Sequence, residues 1–271
     1  MDQSVVSDSN ASGVSWAAVI AGAFVAAALS LILLALGTGI GLSAISPWEN
    51  SGASAPAVGA GAIVWFVLIE IIASSMGGYL AGRLRVKWTS VHTHEVYFRD
   101  TAHGFLVWAV GVVITAGFLA SAATAMVGGA ARGRAMMAES GSAPAAEDAG
   151  PSAYFVDKLL RPSAVNSNQD YGSLRSEAGL ILANAIREGN MPAGDRAFLA
   201  QVVAARTGMN ESDAEKRVDD VFAQAREAAD KARKAVAHAM YWTFLALLVG
   251  AFCASFAATI GGKQRDHVVV V

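Results

Sequence analysis

Glu70 is the residue with the clearest chemical potential, because it is the only charged side chain in the apolar stretch 59–82. A carboxyl group at mid-membrane depth is costly, and it usually faces other helices or water. Ser74 and Gly78 share its helical face, so we expect Glu70 to point towards neighbouring helices. No Lys or Arg lies at a matching depth in another apolar stretch, so we expect the carboxyl to be protonated or hydrogen-bonded. The expected partners are Thr38, Thr115, Thr259 or water.

Two interpretations of Glu70 are open. It is either a proton or cation site, or a structural hydrogen-bonding group that joins two helices. A single carboxyl group without relay partners makes a poor ion pathway, which favours the structural interpretation.

A second group of candidates lies in a polar segment just before the third apolar stretch. In an extended segment His92 and His94 point the same way, and imidazole with carboxylate suits zinc or a similar ion. His103 is the third weak candidate, and Glu95 and Asp100 are nearby. The segment lacks Cys and the spacing of established sites, and Asp100 equally suits the N-cap of a following helix. We therefore predict no metal ion.

The remaining sequence argues against an enzyme. It contains no nucleophile elbow, P-loop, dinucleotide-binding motif or HExxH motif, so we predict no catalytic residues and no cofactor. A net charge of -2 without a basic patch argues against a nucleic-acid partner. The single cysteine, Cys253, lies in an apolar run and indicates no disulfide framework.

Composition identifies the elements that must position Glu70. The mean hydropathy is +0.44, and 54% hydrophobic with 15% charged residues is too apolar for an ordinary soluble chain. Four stretches are long enough to span a bilayer: 14–44, 59–82, 102–127 and 239–261. The sequence therefore predicts an all-α membrane protein with four transmembrane helices.

Small residues recur at intervals of four in these stretches, which allows helix backbones to approach closely in lipid. The residues that we expect at helix contacts are Gly22, Ala26, Ser30, Gly37, Gly41, Gly78, Gly82, Gly250, Ala254, Ala258 and Gly262.

The fourth apolar stretch follows a charged helical segment without an intervening proline, so we expect one helix over about 210–262. Asn210 can cap this helix, with Asp213 in a capping-box-like position. Small apolar residues then recur at alternating spacings of four and three, the pattern of a coiled-coil seam. The seam residues are Ala214, Val218, Val221, Ala225, Ala228, Ala232 and Ala235.

The segment 128–238 is the one place for a soluble domain. We expect a flexible linker over 128–151 and a small helical domain over 152–238. Within this domain the pattern predicts a short turn or helix at 154–160 and helices at 174–187 and 196–207, the last capped by Asp195 and ended by Gly208.

Loop charges predict the orientation. The loop 45–58 contains no Lys or Arg, whereas the loop 83–101 contains Arg83, Arg85, Lys87 and Arg99. The positive-inside rule then places the second loop and both termini, 1–13 and 262–271, in the cytoplasm. The domain over 152–238 is accordingly expected outside the cytoplasm.

Four segments carry a resemblance to other proteins. They are SWAAVIAGAFVAAALSLILLALGTGIGLS, MGGYLAGRLR, HTHEVYFRDTAHGFLVWAVG and ARTGMNESDAEKRVDDV. In these segments the chain resembles a group of uncharacterised proteobacterial inner-membrane proteins, some of which are labelled PhnA-like. The resemblance covers most of the chain. It implies a bacterial inner-membrane location, no enzyme class and no assigned catalytic residues.

The sequence thus favours a non-enzymatic inner-membrane protein that acts through helix–helix assembly or envelope scaffolding. Its expected partners are the membrane and a second copy of the chain or another membrane protein. Two alternatives are a small ion or proton conduit, or a transporter component, centred on Glu70, and a membrane sensor with an extracytoplasmic helical domain.

Overall fold

A computed structural model describes residues 13–48, 51–86, 92–139, 151–161 and 171–267. These residues form helices and no strand: α1 Trp16–Ala44, α2 Ala55–Leu84, α3 Thr93–Glu139, α4 Pro151–Leu160, α5 Tyr171–Glu188, α6 Ala193–Thr207 and α7 Glu211–Asp266. Four of them, α1, α2, α3 and α7, are long and apolar enough to cross a membrane. The predicted all-α membrane fold is confirmed.

The chain divides into two compact units. The membrane unit comprises residues 1–130 and 239–271, and the helical domain comprises residues 131–238. In the membrane unit the core consists largely of small and β-branched side chains, among them Val19, Ala23 and Val107. Large apolar side chains such as Ile32 and Phe252 are exposed on its surface, as expected where helices face lipid rather than water.

Two spans begin earlier than the hydropathy pattern predicts. Helix α2 begins at Ala55 rather than 59, because the Ser54 side chain accepts a hydrogen bond from the Ala57 amide at 3.4 Å and caps the first turn. Helix α3 begins at Thr93 rather than 102. Its first turns contain no helix breaker and are supported by an Arg99–Glu95 ion pair at i, i+4. Much of the predicted loop 83–101 is therefore helical.

The predicted linker 128–151 is also partly helical. Helix α3 continues to Glu139, through a segment rich in Ala, Met and Arg, all of which are good helix formers. Residues 140–150 of that linker lie outside the described residues, as do residues 1–12 of the predicted N-terminal segment and 268–271 of the tail. Helix α7 ends at Asp266, five residues after the predicted end of the fourth span.

The helical domain packs α4, α5, α6 and the first half of α7 around one apolar core. Helix α6 begins at Ala193 with Pro192 as its N-cap, so the predicted cap Asp195 instead lies in the first turn. There its negative charge still favours the N-terminus of the helix. Gly208 ends α6, as predicted. It adopts the left-handed backbone conformation, which glycine reaches without steric cost.

The start of α7 agrees with its expected cap. The Asn210 side-chain oxygen accepts a hydrogen bond from the Asp213 amide at 2.8 Å. From this cap the helix is continuous to Asp266, and no proline interrupts the backbone hydrogen bonding.

Candidate functional site

One pair of glycines brings the backbones of α1 and α2 into direct contact. A methyl group added to Gly22 would lie 2.5 Å from the carbonyl oxygen of Gly77 and 3.3 Å from Ala81 Cβ, so α1 and α2 touch through their glycines. Gly77 in turn would meet the carbonyl oxygen of Gly22 at 2.6 Å and Ala26 Cβ at 2.9 Å. Such spacing maximises dispersion contacts between helices in lipid.

Helix α7 lies against α2 and α3 in the same manner. A methyl group on Gly78 or Gly104 would overlap the backbone of Ala254, and one on Gly82 would overlap the backbone of Ala258. The predicted packing residues Gly78, Gly82, Ala254 and Ala258 therefore meet in pairs. Gly37 lies against the Trp65 indole, whereas Gly41 has open space within 4 Å of a Cβ position. Ser30 lines a cavity and is not part of a contact between helix backbones.

Glu70 lies where α2, α3 and α7 meet. A Cβ atom added to Gly250 would overlap Glu70 Oε2. It would also lie 3.0 Å from Ser74 Oγ and 3.3 Å from Trp108 Nε1. The Ser74 hydroxyl also donates to Glu70 Oε2 at 3.5 Å. The glycine at 250 thus leaves space in which three polar atoms converge, and Glu70 points towards neighbouring helices.

Two of the three threonines expected to bind Glu70 donate their hydroxyls elsewhere. The Thr38 hydroxyl donates to the Leu34 carbonyl and the Thr259 hydroxyl to the Phe256 carbonyl, each within its own helix. Thr115 lines the same cavity as Glu70, a space of about 220 Å³ within the membrane unit. Its lining is mainly apolar and contains no Lys, Arg or His.

A buried ion pair lies at the end of the membrane unit where α2 ends. Arg85 follows α2, and its Nε donates to Asp100 Oδ1 of α3 at 2.8 Å. Both side chains are almost fully buried. Arg265 of α7 approaches the same carboxylate at 3.5 Å and donates to the Gly82 carbonyl at 2.8 Å. Three helices are therefore joined through one carboxylate.

Local sequence makes this pair possible. Gly262 of α7 lies so close to Asp100 that a Cβ there would overlap the carboxylate. Burial lowers the pKa of Arg85 from its ordinary value, and the hydrogen bond and charge of Asp100 oppose that change. Asp100 is thus not the predicted N-cap of α3 but an interior residue of that helix that neutralises a buried guanidinium.

His103 joins α3 to the start of α1. Its Nε2 accepts a hydrogen bond from the backbone amide of Ser15 at 2.8 Å, and its Nδ1 lies 2.6 Å from the Arg99 carbonyl oxygen. Because an amide only donates and a carbonyl only accepts, the ring is neutral with its proton on Nδ1. Ser15 is the N-cap of α1, so the imidazole satisfies one of the amides that a helix start leaves without a partner.

The weak metal candidates are not brought together. His92 and His94 are exposed, whereas His103 is buried and uses both ring nitrogens in the hydrogen bonds above. Among the described residues, no group of three or more His, Cys, Asp and Glu side chains could hold a metal ion.

Several residues of these sites are not among the sequence predictions: Gly77, Arg85, Gly104, Trp108 and Arg265. Arg85 and Arg265 resemble ordinary loop and tail charges, and only their convergence on Asp100 distinguishes them. The sequence does contain a feature that could identify Gly77 and Gly104 as contact residues. Both lie within apolar helices, where glycine weakens a helix unless close packing compensates for it.

The fold and these contacts define an all-helical membrane protein in which glycine contacts and one buried ion pair hold the membrane unit together. No protein-family model, curated protein or solved structure matches the chain.

Proposed function

We propose that the chain is a non-enzymatic, multi-pass protein of a bacterial inner membrane that acts through helix–helix assembly, as a homodimer joined along α7. The proposal rests on the difference in burial between the first and second parts of the α7 seam. Ala214, Val218, Val221 and Ala225 are buried in the core of the helical domain. Further along the same seam Ala232 and Ala235 are exposed.

Beyond Ala225 an apolar stripe, which we call the α7 stripe, is formed by the half-buried Ala228, the exposed Ala232 and Ala235, and the neighbouring Val236. Val236 is 60% exposed. Alanines at these positions allow a second helix to approach closely, and the same spacing already packs against α4–α6 in the first half of the helix.

The apolar character of the stripe favours a second copy of the chain as the occupant, because a stripe of small apolar residues is complementary to itself. Charged side chains lie outside the stripe, where Glu227 pairs with Lys231 at 2.6 Å and Asp230 with Lys234 at 2.7 Å. Two copies inserted in one orientation would place their α7 helices parallel, so each seam residue faces its own counterpart.

The proposal includes an orientation. The basic segment after α2, the start of α1 and the end of α7 would lie in the cytoplasm, and the helical domain would lie outside it. The positive-inside rule supports this arrangement, since Arg83 lies in the last turn of α2 and Arg85 and Lys87 follow it, while residues 45–58 carry no base.

Cysteine cross-linking in isolated membranes tests the assembly. Ala232→Cys and Lys234→Cys are each made in a Cys253→Ser background, and the membranes are oxidised with copper phenanthroline. Ala232 lies on the stripe, whereas Lys234 is exposed about 200° around the helix from it. We expect a disulfide-linked dimer from Ala232→Cys and little from Lys234→Cys. Equal cross-linking of both, or none from Ala232→Cys, would overturn the proposal.

A further inference from the structure

The cavity beside Glu70 contains polar groups that the proposed assembly does not use. Glu70 is the one acidic residue in its lining, and its basic counterpart is missing, since none of the lining residues is Lys, Arg or His. In an apolar surrounding a carboxyl group stays protonated unless a positive charge compensates its ionised form. The Ser74 hydroxyl, its hydrogen-bond partner, does not supply one.

A second, independent observation comes from Trp108. Its Nε1 is buried and has no hydrogen-bond partner within the part of the chain that the structure describes. Buried donors are rarely left without an acceptor in native proteins, and an unpaired one costs free energy. Trp108 also lines the cavity, and its Nε1 lies near Glu70 Oε2 beside Gly250. A carboxyl group without a cationic partner and a donor without an acceptor therefore lie side by side.

The other lining residues and the volume of the cavity indicate the polarity and size of a ligand that would fit. It is mostly aliphatic and aromatic, with residues such as Phe66 and Ile69, and the hydroxyls of Ser30 and Thr115 add a few polar atoms. The volume of about 220 Å³ is below that of pockets that bind drug-sized molecules, so the occupant is small. A divalent metal ion does not fit this lining, because magnesium and calcium require about six oxygen ligands and the cavity supplies few.

We propose that this cavity binds a small lipophilic amine that carries an oxygen acceptor next to its ammonium group. The ammonium group pairs with the Glu70 carboxylate, the oxygen accepts from Trp108 Nε1, and the apolar body lies against α1 and α3. Binding then satisfies both groups at once, which a purely apolar molecule or a bare cation does not.

Three probes of nearly equal size separate these interactions. 2-Amino-1-phenylethanol has both groups, phenethylamine lacks the oxygen acceptor, and 1-phenyl-1,2-ethanediol replaces the amine with a neutral hydroxyl. Binding to the full chain in a non-ionic detergent is measured by titration calorimetry, with empty micelles as the reference for partitioning. We expect 2-amino-1-phenylethanol to bind at least about tenfold more tightly than either of the other probes.

Matched variants assign each preference to its residue. Glu70→Gln should remove the preference for the amine over the diol, and Trp108→Phe the preference for 2-amino-1-phenylethanol over phenethylamine. Glu95→Gln, which removes a carboxylate from the exposed Arg99 pair, should change neither. Equal binding of all three probes to the unmodified chain would show simple hydrophobic uptake and overturn the proposal, whether or not the variants fold. Preferences that survive Glu70→Gln would also overturn it.

Discussion

At the scale of single residues, the Arg85–Asp100 pair is the polar contact with most influence on the membrane unit. Both partners are almost fully buried, and Arg265 shares the same carboxylate. A buried ion pair is weak evidence of net stabilisation, but removing one partner leaves an uncompensated charge. Its main effect is therefore to fix how α2, α3 and α7 meet.

Asp100→Asn tests this role with almost no change in shape. The remaining amide leaves the Arg85 guanidinium buried without a negative partner, so we expect a loss of roughly 3 kcal/mol in the free energy of unfolding. Glu95→Gln breaks the exposed Arg99–Glu95 pair and should cost about 0–1 kcal/mol. Unfolding in mixed micelles measures both. Losses of the same size in the two variants would contradict the account of the buried pair.

Glycines of the membrane unit divide into those that touch another backbone and those that do not. Gly78→Ala places a methyl group on the backbone of Ala254, so α2 and α7 must separate, and we expect a loss of about 1–3 kcal/mol. Gly41→Ala enters open space and should be neutral or slightly stabilising, since alanine favours helix more than glycine. Thermal melting of the detergent-solubilised protein compares the two. An unchanged melting temperature for Gly78→Ala would rule out the close contact.

At the scale of elements, length and hydropathy suffice to predict the four spanning helices, and heptad spacing suffices for the first half of the α7 seam. Helix ends were predicted less well, because the charges of His94 to Asp100 suggest a loop until the Arg99–Glu95 and Arg85–Asp100 pairs are seen. A row of small residues likewise does not reveal which face meets a partner. Gly41 has the same spacing as Gly82, yet only Gly82 touches α7.

The seam of α7 provides a test within one helix. Ala225 is buried in the domain core, so Ala225→Leu should overpack it and lower the free energy of unfolding by about 1–3 kcal/mol. Ala223 is exposed on another face of the same turn, and Ala223→Leu should change stability by less than about 0.5 kcal/mol. Thermal melting of the full chain distinguishes them. Equal melting temperatures would mean that the seam is not packed.

At the scale of the whole molecule, the proposed orientation predicts opposite labelling of two exposed positions. Val86 is 72% exposed after α2, and Leu180 is 73% exposed in the helical domain. In a Cys253→Ser background, a membrane-impermeant maleimide added to intact spheroplasts should label Leu180→Cys readily. It should label Val86→Cys only after the membrane is permeabilised. The reverse result would invert the orientation while leaving the four spans intact.

Assembly through the α7 stripe is the central claim, and the mass of the intact complex tests it most directly. Native mass spectrometry of the protein released from mild detergent or lipid nanodiscs should show a main species of twice the chain mass of 27.9 kDa. Ala232→Arg, which would place like charges opposite each other at the stripe, should convert this species to single chains. A single chain in every lipid and detergent, or a dimer that Ala232→Arg leaves unchanged, would contradict the account.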